Sequence, residues 1–376
     1  MTVDQRTVVV IGGGPYGVLT AQKLVRLYNH KVILISNLEY FYLLASTPRA
    51  YIYDTPSDWA GKLTIQLKSI LPETIDLVID DVVDIDDTNV SLKGHEDIPY
   101  DALVIATGAK WPAPVFPEFN GDRTIKGLQD YYEDRAREIH DSKHIAFVGA
   151  GFVGLEIVGE LAHKYKDDIK KGERSITIYH GRKELLDSSY GDEIKRKIQN
   201  DLAGSGIKFV FDTKVVSNEK GEGIIEKSGD KIVADKIYFT TGPVANPPSN
   251  SIAGLVDGRN QVKIDATLRA VGAQSGKVFA LGDVTDWPQK VLQTVTPFSS
   301  TVAHNVDAFL RGKTDVKKVA QPSQWSRAGV SLGPNSGYGQ VPVPLLGYIN
   351  IPRALLVRAK SKQMFTDRLV QFGKLR

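Results

Sequence analysis

Two short runs of β-branched residues, each followed by a glycine-rich turn and an amphipathic helical pattern, predict an α/β chain. The arrangement reads as two Rossmann-type units with a small C-terminal segment. The first run is Thr7 to Ile11, followed by Gly12-Gly13-Gly14-Pro15-Tyr16-Gly17. The second is Ile145 to Val148, followed by Gly149-Ala150-Gly151-Phe152-Val153-Gly154. A single turn of this kind says little, because glycine turns also merely join strand to helix. Two in the same context point to a duplicated dinucleotide-binding architecture.

After the first turn, Val18, Ala21, Leu24, Val25 and Tyr28 share one side of a helix. Lys31 to Ile35 reads as a second buried strand, and the crossover between the two is expected to be right-handed. Residues 77–92 read as short strands turning at Asp86-Asp87-Thr88-Asn89, and Tyr100 to Ala106 as a buried strand ending at Thr107-Gly108. Trp111-Pro112-Ala113-Pro114-Val115-Phe116-Pro117 has the composition of a linker. The pattern then restarts, with a helix over Leu155 to Lys164, a strand over Ser175 to Tyr179 and closure near Ile237 to Gly242. Residues 277–310 read strand, loop, helix and are assigned back to the first unit. The expected organisation is a first unit over 1–122 and 246–320, a second over 123–245, and a C-terminal segment over 321–376.

The net charge of +3 argues for no nucleic-acid partner. Its distribution is uneven: Arg311 to Arg376 holds 12 Lys and Arg against 2 Asp, the remainder 35 basic against 42 acidic residues. A basic tail on an acidic body fits an anionic partner, such as a lipid surface or a phosphate, or simply a solvated face. The chain has no cysteine, which removes disulfides, thiolate metal sites and a redox-active dithiol together. The histidines show no ligand spacing, so no metal is expected. No stretch reaches the length of a membrane span, and no signal peptide, transit peptide or myristoylation glycine is seen. The expected location is the cytosol or, through the tail, the face of an intracellular membrane, mitochondrial membranes included. Monomer and homodimer both stay open.

In each glycine turn the first glycine permits the tight bend, the second lets a pyrophosphate approach the backbone, and the third lets helix and strand pack. Gly12, Gly14 and Gly17 fit these roles, with Pro15 and Tyr16 in the same cradle; so do Gly149, Gly151 and Gly154, with Phe152 and Val153. Tyr100-Asp101-Ala102-Leu103-Val104-Ile105-Ala106-Thr107-Gly108 and Val278-Phe279-Ala280-Leu281-Gly282-Asp283 resemble the strand-end segments of the two-dinucleotide flavoproteins. Over essentially its whole length the chain resembles the apoptosis-inducing-factor-like and ferroptosis-suppressor-like NAD(P)H oxidoreductases, especially fungal members. Its most specific pieces are Gly329 to Gln340 and Arg358-Ala359-Lys360-Ser361-Lys362.

The resemblance implies noncovalent FAD in the first unit and NADH or NADPH in the second, with electrons passing on to a quinone. It places Ala106, Thr107 and Gly108 against FAD, Asp283 on the ribityl chain, and Val82, Lys290 and Val291 in the same site. Arg49, after Pro48, matches a flavin-pyrophosphate arginine, and Gly242 and Pro243 close the nicotinamide site. Glu156, in the first turn of its helix, would face the junction of nicotinamide and flavin; favouring the helix dipole is its plainer reading. Lys360 is the tail residue expected beside the flavin, where a cation offsets developing negative charge. The tail is expected over the acceptor site. Its stretch Ile349 to Phe365, with Leu355, Leu356, Ala359 and Phe365 among basic residues, suits either an anionic surface or packing over that site.

Two features depart from the usual pattern. The second strand of the first unit ends Ile35-Ser36-Asn37 without an acidic residue, which leaves Ser36 or Asn37 for a ribose contact. The corresponding strand of the second unit ends Ile178-Tyr179-His180-Gly181-Arg182-Lys183. With no carboxylate there and three potentially cationic groups, acceptance of NADPH beside NADH is expected. A ferredoxin- or rubredoxin-type reductase and a slow-turnover NAD(P)H-sensing protein of apoptosis type are the alternatives.

Overall fold

The computed structural model describes residues 6–50, 52, 56–115, 122–218 and 222–366. Part of the proline-rich linker (116–121) and the end of the C-terminal segment (367–376) lie outside these. The first unit opens with strand β1 (Thr7–Ile11), helix α1 (Pro15–Tyr28), β2 (Lys31–Ser36), β3 (Ile75–Ile79) and β4 (Ala102–Ile105). Helix α2 (Ile125–Asp141) leads into β5 (His144–Val148), α3 (Phe152–Lys164), β6 (Ser175–Tyr179), α4 (Asp192–Gly204), β7 (Lys208–Val210) and β8 (Lys236–Phe239). The chain then returns with β9 (Val278–Ala280) and α5 (Val295–Leu310).

Two all-parallel sheets result. The first has the order β9-β4-β1-β2-β3 and the second β7-β6-β5-β8. Buried on both faces, β1, β4 and β9 explain the continuous Val/Ile/Leu/Ala runs that announced them. Helix α3 begins at Phe152, earlier than periodicity suggested, because Gly151 takes the extended conformation of an N-cap directly after the turn. Where the chain passes between units, Ala109–Lys110 pairs antiparallel with Val244–Ala245.

The C-terminal segment is a three-stranded antiparallel sheet of β10 (Ala328–Ser331), β11 (Gly337–Val343) and β12 (Gly347–Ile351), followed by helical turns over residues 353–361 that end in π geometry. It docks on the second unit. Leu332 lies against Gly159 of α3 so closely that a Cβ there would sit 2.5 Å from the Leu332 Cα. One core cluster joins Trp59, Tyr132, Leu155, Val330 and Met364, so linker-side, second-unit and C-terminal residues share an interior. The stretch Ile349 to Phe365 is therefore divided: Leu356, Met364 and Phe365 are buried, while Leu355 and Ala359 are exposed. Exposed apolar groups include Leu345 and Leu346 at the turn between β11 and β12, where Pro344 precedes the positive φ of Leu345. Among the described residues no helix is long and apolar enough to cross a membrane.

Docking of this segment rests heavily on Gln340, which is fully buried. Its carbonyl accepts from the Gly191 amide at 2.9 Å, and its amide donates to the Ser189 and Ser326 carbonyls, each at 2.9 Å. Gln340→Ala strands all three partners, and the expected loss is about 2–4 kcal/mol in urea unfolding of the cofactor-loaded protein. A loss under about 0.5 kcal/mol would contradict this account.

Candidate functional site

In an open parallel sheet the ligand crevice lies where strand order reverses, beyond the carboxyl ends of the strands. That point falls between β1 and β4 in the first sheet and between β5 and β8 in the second. Both glycine turns sit there, and they are built alike. Gly12 has φ +120° and faces the Ala106 carbonyl, with which any Cβ would collide. Gly149 has φ +112°, and a Cβ would stand 2.7 Å from the Thr240 carbonyl oxygen. Gly17 and Gly154 are walled in turn by the carbonyls of Gly12 and Gly149. Gly14 and Gly151, the N-caps of α1 and α3, have nothing within 4 Å of a Cβ position. The turns are thus closed toward the protein and open at the position a phosphate would approach.

The surrounding polar groups fit a dinucleotide. Thr107 Oγ1 and Trp111 Nε1 are buried without a partner among the described residues. Burial pushes the Asp283 carboxyl above its ordinary range, opposed by the Lys290 ammonium, and it makes no hydrogen bond among the described residues. Polar groups in such positions ask for a ligand. Lys290 donates to the Thr285 carbonyl at 2.6 Å, and burial lowers its pKa. The Tyr16 hydroxyl pairs with Thr294 at 2.6 Å, and its ring walls Gly282. Val291 contributes a carbonyl to Thr294 Oγ1, and Val82 opens a strand paired to Leu92, half-buried.

Three expected contacts are placed differently. The Ser36 hydroxyl donates to the Leu38 carbonyl and accepts from the Leu38 amide, so it closes its own turn and leaves exposed Asn37 as the freer group. Arg49 is buried, with Nε and Nη2 on the Glu160 carboxylate at 3.0 and 2.5 Å; Nη2 also donates to the Ser361 carbonyl, and Nη1 to that of Lys362. Its guanidinium is committed to protein groups, not to a pyrophosphate. His180 is no cation: its Nδ1 accepts from the Ala150 amide at 3.2 Å, and burial, then the Arg182 charge, lowers its pKa. Nε2 is left buried and unpartnered. Arg182 and Lys183 are exposed, as are Gly181 and Pro243, and Gly242 has φ +112° with open space around it.

Glu156 and Lys360, 204 positions apart, meet. Lys360 Nζ lies 2.5 Å from Glu156 Oε1 and donates to the Gly329 carbonyl at 2.7 Å, while Glu156 accepts from the Ser331 amide at 3.0 Å. Glu160 and Trp111 were missed from the sequence. For Glu160 a signal existed: Glu156 and Glu160 are four residues apart in an otherwise apolar helix and so share its buried face.

A family profile described as pyridine nucleotide-disulphide oxidoreductase matches residues 6–303. The chain is 35% identical over 382 residues to Apoptosis-inducing factor 1 of Saccharomyces cerevisiae, covering 98% of each. It is 24% identical over 376 residues to Ferroptosis suppressor protein 1 of Homo sapiens, covering 96% of this chain and 94% of that one. Among solved structures, the sulfide:quinone oxidoreductase of Aquifex aeolicus superposes with a TM-score of 0.77 at 19% identity, over 99% of this chain and 92% of that one.

The His180 geometry makes a pH prediction. A folded pKa below the unfolded value near 6.5 means fewer protons bound in the folded state. The stability tied to neutral His180 is therefore complete above about pH 6.5 and lost as pH falls through the folded midpoint. NMR titration of the imidazole should give a midpoint below 6.5, and an imidazolium persisting at pH 7 would refute the assignment.

Proposed function

The chain belongs to the pyridine nucleotide-disulphide oxidoreductase family, with apoptosis-inducing-factor and ferroptosis-suppressor relatives, and from that premise we propose that it passes electrons from NADH or NADPH to a quinone-type acceptor. It is a flavin-dependent oxidoreductase whose cofactors are FAD and a nicotinamide dinucleotide. When bound, FAD takes hydride from the nicotinamide and releases the electrons to the acceptor. Without cysteine, this chain has no dithiol through which electrons could pass on.

The reading assigns FAD to the first unit, with Gly12, Gly14 and Gly17 at its pyrophosphate and the unsatisfied Asp283 on its ribityl hydroxyls. It assigns the nicotinamide dinucleotide to Gly149, Gly151 and Gly154. With His180 neutral, tolerance of a 2′-phosphate rests on the exposed Arg182 and Lys183 and on the lack of a carboxylate at the end of β6.

The observation that carries the reading is the Glu156–Lys360 pair. It sets a partly buried ammonium on a buried carboxylate just past the second glycine turn, joining the C-terminal segment to helix α3. Lys360 supplies positive charge where negative charge develops, and Glu156 orients that ammonium and the carboxamide side of the dinucleotide. A quinone acceptor is supported by the exposed apolar turn at Leu345 and Leu346 on the C-terminal segment, and by the name of the sulfide:quinone oxidoreductase that shares the fold. The basic residues of the C-terminal segment suit peripheral contact with an anionic bilayer.

Glu156→Gln should retain FAD and slow flavin reduction by NADH or NADPH about a hundredfold in stopped-flow absorbance. Unchanged reduction would remove Glu156 from the site. In steady state the wild type should turn over ubiquinone analogues well above its rate with ferredoxin or oxygen. Faster transfer to ferredoxin would favour the ferredoxin-reductase reading instead.

A further inference from the structure

Helix α3 carries two buried carboxylates one turn apart, and each is met by a cation from a different part of the chain. Glu156 receives Lys360 from the C-terminal segment, and Glu160 receives Arg49 from the short 3-10 turn Leu44–Arg49 of the first unit. Arg49 does more than neutralise Glu160. It donates to the carbonyls of Ser361 at 2.6 Å and Lys362 at 2.9 Å, the two residues directly after Lys360. The same turn grips the segment once more, since the Ser46 hydroxyl donates to the Met364 carbonyl. The Trp59 indole lies 5.6 Å from the Arg49 guanidinium and donates to the Ser46 carbonyl at 3.2 Å, bracing the turn from behind.

We propose that Arg49 is a positioning residue, which through Glu160 and the carbonyls of residues 361 and 362 holds the C-terminal segment so that Lys360 rests on Glu156. This rests on the function proposed above for the Glu156–Lys360 pair and extends it to the other ion pair. Three considerations carry it. First, Lys360 belongs to a π-type turn, Val357–Ser361, whose wider hydrogen-bonding pattern is intrinsically less favourable and is commonly kept at functional sites. Such a turn persists where neighbours over-determine it, and Arg49 and Ser46 supply that constraint immediately after it. Second, a flexible lysine stem loses rotamer freedom on burial. An anchored backbone within two residues leaves fewer conformations in which the ammonium misses Glu156. Third, the Arg49 donors are already engaged, three of them in a planar fork on one carboxylate and one carbonyl, a geometry lysine cannot reproduce.

The four charges are coupled. The charged groups facing Glu160 are Arg49 from the 3-10 turn and Glu156 from its own helix, with Lys360 reaching Glu156 from the C-terminal segment; β10 contributes the uncharged Ser331 amide, and Lys62 lies 5.5 Å from the far partner Trp59. Burial and the Glu156 charge raise the Glu160 carboxyl, while Arg49 opposes them. Protonating Glu160 would free half of the Arg49 fork, so the hold on the C-terminal segment should weaken on acidification.

The test uses FAD-loaded full-length protein in four forms: wild type, Arg49→Gln, Glu160→Gln and Glu156→Gln. Three quantities are measured: the FAD dissociation constant, hydrogen exchange of the peptide spanning residues 357–366, and the pH profile of flavin reduction by NADH. Arg49→Gln should keep FAD affinity within about threefold, raise exchange of that peptide at least tenfold, and move the acid limb of the profile upward by about one pH unit. Glu160→Gln mimics the protonated carboxyl and removes the titrating group, so it should raise exchange of that peptide at every pH and abolish the acid limb that Glu160 causes. An acid limb displaced in Arg49→Gln and abolished in Glu160→Gln is what a purely structural role would not produce. Should Arg49→Gln lose FAD affinity more than tenfold with exchange of residues 357–366 unchanged, Arg49 serves the cofactor directly and the proposal falls. If Arg49→Gln does not fold, Arg49→Lys, which keeps the charge and loses the fork, should show the raised exchange alone. Profiles of Arg49→Gln and Glu160→Gln that coincide with wild type while Glu156→Gln is slow overturn this inference only; a Glu156→Gln protein as fast as wild type overturns the reading beneath it.

Discussion

Glu156 and Glu160 lie on the buried face of α3, whose other residues there are Leu155, Ile157, Val158 and Leu161. A carboxylate in such surroundings costs several kcal/mol unless a cation and further donors reach it. Neither neighbouring strand of the second unit supplies one. The cations come from position 49 and position 360, so the helix satisfies its charges only when the first unit and the C-terminal segment are both in place. Breaking either pair by removing one partner leaves an uncompensated buried charge, an effect of about 3–5 kcal/mol in comparable settings. The relative placement of three chain segments is thereby tied to two contacts one helical turn apart, just past the second glycine turn.

The glycine turns show how one backbone solution serves twice. In each, the first glycine adopts a positive φ and presses on the carbonyl at the end of the adjacent strand, Ala106 in one unit and Thr240 in the other. Side chains are excluded there by main-chain atoms that cannot retreat. The middle glycine is different in kind, since no protein atom stands in the way, and its lack of a side chain is explained by a ligand and not by packing. That distinction separates scaffold from site within a six-residue motif.

The C-terminal segment has a double character. Gln340 and Leu332 fasten it to the second unit, Ser46 of the first unit holds its Met364 carbonyl, and its Ser361 is fully buried. Its outer turn instead presents Leu345 and Leu346 to solvent. On the function proposed above, the segment that brings Lys360 to Glu156 and exposes Leu345 and Leu346 would stand between a reduced cofactor and a lipid-soluble acceptor. The family takes its name from disulphide chemistry, which this cysteine-free chain has no groups to perform.

The parallel strands, the two glycine turns and the return of residues 277–310 to the first sheet were legible in the sequence. Each depends on local pattern: β-branched runs buried on both faces, and turns that only glycine can make. The roles of Arg49, His180 and Ser36 were not legible, because each has a nearby backbone or carboxylate partner that competes with the expected ligand. The sequence also could not say which leucines between 341 and 356 face inward, since strands of an antiparallel sheet and helical turns share that stretch. What the sequence alone determined is the duplicated dinucleotide architecture, set by short-range sterics and hydrophobic period. What only the tertiary structure decided is which charges are spent on holding the molecule together, because pairing across 111 and 204 positions follows from burial and reach and leaves no periodic trace.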